Sequence, residues 1–80
     1  MDYEKFILDL VRPLVLKSEE VVAKVISKED DLTVIQVLVD PEDLGRVIGK
    51  KGRIANSIRT LAFACAARVG ERVEIQFDQF

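Results

Sequence analysis

These 80 residues contain no histidine, no tryptophan and a single cysteine, Cys65. One cysteine excludes an internal disulfide framework and fits a reducing compartment. Without histidine, and with one thiol, a zinc site of the usual ligand set cannot be assembled within one chain. The most common general base is missing as well. Cys65 lies inside the apolar run Leu61–Ala67, where a buried, inert thiol is the expected state. No pair of carboxylates stands beside a basic turn, so an enzyme is the class least served by this composition. Long apolar runs are also lacking, since Leu61–Ala67 is the longest and is far too short to span a bilayer. The opening MDYEKFILDL mixes acids with apolar residues and has no basic leader before an apolar block. The expectation is therefore no secretory signal and a cytoplasmic protein.

What is present suits a folded chain. Hydrophobic residues make up 49% and charged residues 32% of the sequence, a globular balance with room for one small domain and a modest core, taken as residues 1–80. The net charge of −2 conceals a segregation. From Leu44 to Gly70 there are six basic residues (Arg46, Lys50, Lys51, Arg53, Arg59, Arg68) and no acid, giving +6 there and −8 elsewhere. Such a segment is expected of an anion-binding surface, although a solvated helix face can carry the same charges.

The periodicities give an element order. Tyr3, Phe6, Ile7, Leu10, Val11 and Leu14 form one helical stripe; Asp2 can cap its start, and Pro13, off the stripe, can kink its last turn. Val21–Ile26 and Leu32–Val39 alternate and are rich in β-branched residues, so they read as a hairpin through the acidic turn Lys28–Asp31. Asp40-Pro41-Glu42-Asp43 is a helix start, with Asp40 capping, Pro41 at the first helical position and two carboxylates favoured by the dipole. That helix is short, because Gly49 and Gly52 interrupt it. A longer one follows from Arg53, with Ile54, Ile58, Leu61, Ala62, Cys65, Ala66 and Val69 as its apolar stripe, and Gly70 placed to end it in a left-handed conformation. Val73, Ile75 and Phe77 alternate with polar residues in a last strand. The expected class is α+β in the order α-β-β-α-α-β, with a three-stranded sheet packed against helices.

The turn Gly49-Lys50-Lys51-Gly52 asks for a purpose. Glycine permits unusual backbone angles and close approach of another chain. The turn feeds a helix start, whose first amides lack helical partners and face a favourable dipole for phosphate. Lys50, Lys51 and Arg53 add charge there, an arrangement suited to an extended polyanion. An ordinary helix-turn-helix corner with incidental lysines is the plainer alternative. A nucleotide-binding phosphate loop is excluded: only three residues separate Gly45 from Gly49, and Lys51 stands where a magnesium-binding hydroxyl is needed.

RVIGKKG between two helices, in this element order, resembles the KH domain with its G-x-x-G loop. The extra N-terminal helix and strand resemble the bacterial, type II arrangement. EDLGRVIGKKGR and SIRTLA extend the likeness along the whole chain to the small stand-alone KH proteins of the KhpA kind. The resemblance implies single-stranded RNA binding, in which the loop clamps the backbone of about four nucleotides. Gly49 and Gly52 would admit the sugar-phosphate chain, while Lys50 and Lys51 would meet phosphates as mobile point charges. Ile48 and Ile54 would line the helical wall of an apolar base groove, or simply fill the core. The strand Leu32–Val39 would form the opposite wall, and Arg46 and Arg59 would extend the basic rim. No cofactor is implied.

Two departures from the family pattern stand out. Ala55 occupies the position three after the second glycine, where KH cores often carry an aliphatic residue, with Ile54 one earlier. The aromatics are Tyr3, Phe6, Phe63, Phe77 and Phe80, none of them an obvious stacking platform on the strands. Weak, salt-sensitive affinity is therefore expected. The run LAFACAA is apolar on every side of its helix, which leaves a face to be covered. Phe63, with small Ala67 near it, is a candidate association surface; packing under the N-terminal helix is the alternative. The resemblance implies self-association or pairing with a KhpB (Jag)-like KH protein, which would raise apparent affinity, and a role as RNA chaperone or regulator. The rival class is a protein-interaction module with RNA contact secondary. Nothing in the sequence separates RNA from single-stranded DNA.

Overall fold

The hairpin is closed by two residues. A computed structural model describes residues 1–80, and in it β1 (Val22–Glu29) pairs antiparallel with β2 (Leu32–Val39), with Glu29 opposite Leu32. Only Asp30 and Asp31 remain for the turn, and Asp30 takes a φ of 52°. Tight hairpins need positive φ, which aspartate tolerates better than most residues. The turn is thus shorter than the four residues expected, and β1 runs longer. A bulge between Val25 and Ser27 absorbs the extra residue.

β2 carries the core. Thr33, Ile35, Val37 and Val39 are buried while their neighbours are half-exposed, the alternation of a strand covered on one face. Two helices then intervene before β3 (Arg72–Gln79), which lies parallel to β2 with Leu32 opposite Arg72 and Val39 opposite Gln79. Parallel neighbours require such a crossover. The strand order β1-β2-β3 puts β2 in the centre and leaves β3 at an edge.

Helix α1 (Tyr3–Val11) starts at Asp2, whose carboxylate accepts from the Lys5 amide at 3.0 Å. It buries Tyr3, Ile7 and Val11, one residue per turn. Pro13 sits in a single 3₁₀ turn, Arg12–Leu14, that continues the helix. The Tyr3 hydroxyl donates to Glu71 at 2.8 Å and ties α1 to the turn before β3. Burial, and then this bond, raise the phenol's pKa.

After Asp40, whose carboxylate accepts from the Glu42 amide at 2.9 Å, the first turn (Pro41–Asp43) is 3₁₀. The α-helix proper, α2, spans Leu44–Ile48. Helix α3 spans Arg53–Ala67, and a turn ends at Gly70 with φ 73°. The face of α3 on the core differs from the expected stripe. Ala55, Ile58, Ala62 and Ala66 are buried, while Leu61 and Val69 are 50% and 66% exposed. Ala62 and Ala66 in the core cluster let the helix backbone approach the sheet, and the larger side chains rotate out. Ala55, a departure from the family pattern by sequence, is thus a core contact.

Asp43 is the one buried charged residue. Its two carboxylate oxygens accept from the Leu16 and Lys17 amides, each at 3.0 Å, and Arg46 approaches at 3.4 Å. A buried carboxylate is stable only when paired or hydrogen-bonded in this way. It fastens the irregular segment Arg12–Glu20 to the start of α2. The Leu16 amide above all, with Lys17 and Arg46, lowers its pKa.

Candidate nucleic-acid interface

α2 and α3 meet at Gly49-Lys50-Lys51-Gly52, and three of these four residues have positive φ. Gly49 (φ 77°, ψ 173°) lies in a region open essentially to glycine alone, Lys51 (57°, 25°) is left-handed, and Gly52 (75°, 14°) follows it. The two glycines answer to different constraints. A Cβ on Gly49 would lie 2.6 Å from Cγ1 of Ile54, so Gly49 closes the loop against that side chain. A Cβ on Gly52 would meet only Nδ2 of Asn56, at 3.6 Å, so its outer side is open. Lys51 is not a glycine, and its left-handed backbone is a strain of the kind that clusters at binding loops.

Five of the six cations of the acid-free segment fall into two groups, and the sixth, Arg68, is exposed just past the far end of α3. Lys50, Lys51 and Arg53 are exposed, carry no ion pair and surround the start of α3. Arg46 and Arg59 are engaged. Arg46 donates to the Glu42 carbonyl at 2.8 Å and pairs with Asp43. Arg59 donates through Nε to the Ile75 carbonyl at 3.2 Å and through Nη1 to Asn56 Oδ1 at 3.0 Å. Its guanidinium also lies 5.2 Å from the Phe77 ring centroid. Ile48 and Ile54 are half-buried and pack on the core with one side while lying next to the loop, so the core and groove readings share each residue.

Between α3 and β3 runs a groove of about 630 Å³, bounded by Arg59 and Phe63 of α3 and by Val73–Phe77 of β3. Its strand wall is therefore β3, not Leu32–Val39 as expected. β2 is bonded on both edges, and only an edge strand has unpaired backbone groups to offer. Phe63 is 60% exposed at the rim of this groove and does not pack under α1. Phe77 supplies an aromatic face on the strand, which the sequence reading did not find. The signal for it was Phe77's place in the last strand's apolar alternation, and using that signal requires knowing that this strand is an edge.

A profile of the KhpA/KhpB KH domain matches residues 4–77. The chain belongs to the KhpA/KhpB KH-domain family. As a member it is a binding domain, not an enzyme. The RNA-binding protein KhpA of Borreliella burgdorferi is 43% identical over 67 residues, 84% of this chain and 80% of that one. The RNA-binding protein KhpA of Listeria monocytogenes is 41% identical over 73 residues, covering 91% and 95%. That of Clostridium perfringens is 37% identical over 67 residues, covering 84% and 88%. The KH frame accounts for the loop between α2 and α3 and for the mixed sheet. No helix is long and apolar enough to cross a membrane.

Proposed function

We propose that residues 1–80 act as one KH domain that binds single-stranded RNA without catalysis, the backbone lying over Gly49-Lys50-Lys51-Gly52 and the bases in the groove along β3. The observation that carries this reading is the set of unpaired cations, Lys50, Lys51 and Arg53, around a left-handed loop whose outer side is open at Gly52. Phosphate contacts of this kind position a strand without reading its sequence. Arg46 borders the loop from α2, Ile48 and Ile54 form the apolar floor beside it, and Arg59 stands where the groove meets β3. The relatives named as RNA-binding proteins support the same ligand. The protein acts in the cytoplasm as an RNA chaperone or regulator.

Self-association, or pairing with a KhpB-like KH protein, would use the exposed apolar side of α3. Leu61 and Phe63 are 50% and 60% exposed there, with exposed Ala67 one turn beyond Phe63. The same residues favour the second reading, an interaction module in which RNA contact is secondary.

The test is binding of labelled single-stranded RNA by the wild type, a Lys50→Asp/Lys51→Asp variant and a Phe63→Ala variant, with circular dichroism to verify folding. The loop variant should lose about a hundredfold in affinity at low salt, and Phe63→Ala should lose self-association first. Equal RNA binding by the wild type and the loop variant would overturn the clamp. Labelled single-stranded DNA of the same sequence establishes whether ribose matters.

A further inference from the structure

The alternation along β3 fixes which of its backbone groups are free. The Arg72 amide donates to the Asp31 carbonyl at 2.7 Å and the Phe80 amide to the Val39 carbonyl at 3.0 Å, so even-numbered residues point toward β2. The amides and carbonyls of Val73, Ile75 and Phe77 point the other way, to the open edge, while their side chains pack on the core. The Ile75 carbonyl is therefore one of the few backbone acceptors facing the groove, and Arg59 already occupies it. The same guanidinium covers the Phe77 ring. Three contacts hold one long side chain across both features of the strand wall that a nucleobase would use.

The third contact leads back to the loop. Arginine has donors only, so the Asn56 atom facing it must be Oδ1. Asn56 Nδ2 then faces the other way, toward Gly52, 3.6 Å from the place of a Cβ there, and it has no partner of its own. One amide group thus touches the latching arginine with its oxygen and overlooks the phosphate-side glycine with its nitrogen.

We propose that Arg59 is a latch over the β3 edge rather than a phosphate contact, and that a bound nucleobase reaches Ile75 and Phe77 only by lifting it. A phosphate over Gly52 accepts from Asn56 Nδ2 and draws the amide away from Arg59, so filling the loop opens the groove. This inference rests on the RNA reading above and assigns one of its basic residues an opposing role. Arg59→Lys is the informative substitution. It keeps the charge but loses the planar fork and the stacking that make the latch.

The experiment titrates labelled single-stranded RNA of mixed sequence against the wild type, Arg59→Lys and Arg53→Ala over a range of salt concentrations. The ¹⁵N resonance of Arg59 Nε–H is followed in parallel. Arg59→Lys should bind roughly three- to tenfold more tightly, the affinity now spent on one stacking contact and one hydrogen bond. Its salt dependence should match the wild type, while Arg53→Ala should bind more weakly and lose about 0.7 from the slope of log K against log salt. RNA should shift Arg59 Nε–H and speed its exchange, and Asn56→Ala should speed that exchange without RNA. Arg59→Lys binding no better than the wild type, or an Nε–H signal unmoved by RNA, overturns the latch. Absence of binding by every protein, the wild type included, overturns the RNA reading itself and the latch with it.

Discussion

The two ends of α2 treat charge in opposite ways. At its start, Asp43 is buried and each carboxylate oxygen is satisfied by a backbone amide. Six residues later the chain enters a loop whose lysines are exposed and carry no ion pair. Both placements suit the helix dipole, acid at the N-terminal side and base at the C-terminal side. Their work differs. A buried, saturated charge holds one piece of chain against another, whereas exposed, unpaired charges hold nothing and remain free for a ligand. A short helix with a locked end and an open end presents its loop from a fixed base.

Substitutions at the two ends should separate these roles. Asp43→Ala should have the largest effect on stability. It strands the Leu16 and Lys17 amides in a buried site, and the thermal midpoint by circular dichroism should fall on the order of 15 °C. Gly49→Ala should cost about 2 kcal/mol in denaturant unfolding, since Ile54 blocks the new methyl group and the backbone angles are foreign to alanine. Gly52→Ala should cost about 1 kcal/mol, because only the left-handed backbone opposes it. Lys51→Gly should gain up to about 1 kcal/mol by relieving the same kind of strain, while weakening RNA binding. A Gly52→Ala cost equal to that of Gly49→Ala would show that backbone angle alone governs the loop.

The pH dependence follows from the locked end. Asp43 and Asp40 have lowered pKa values, through the Leu16 amide and the Glu42 amide respectively as the leading causes. Their stabilisation is complete above the ordinary aspartate value and is lost as pH falls below about 4. Lys17, bonded to Asp40, and Tyr3, buried against Glu71, have raised values. Their contributions are complete below about 10 and are lost as pH rises through their folded values. Stability measured by urea unfolding should be flat between these limits, and Asp43→Ala should make the acid limb shallower.

Much of this molecule was legible in the sequence where the cause is local. Asp2 and Asp40 cap helices because their side chains reach amides two or three residues on. Gly70 and the glycine-lysine turn were equally readable, since positive φ is a property of single residues. Long-range causes hid the rest. That β3 rather than β2 walls the groove depends on a parallel pairing no local pattern announces. Asp43 looked like a carboxylate placed for the dipole, and only the return of Leu16 and Lys17 to the same spot buries it. On α3, counting apolar residues favoured Leu61 and Val69, whereas close approach to the sheet selected alanines.

The pairing of Leu32 with Arg72, forty residues further on, also sets the order in which the protein can be assembled. The hairpin is a local contact available as soon as Leu38 can meet Val22, but the mixed sheet waits for loop closure across both helices. On the ribosome, the lysine loop is made well before residues 72–79 emerge. The turn that carries Lys50 and Lys51 is thus complete as a local structure before the strand that walls the groove can dock beside β2.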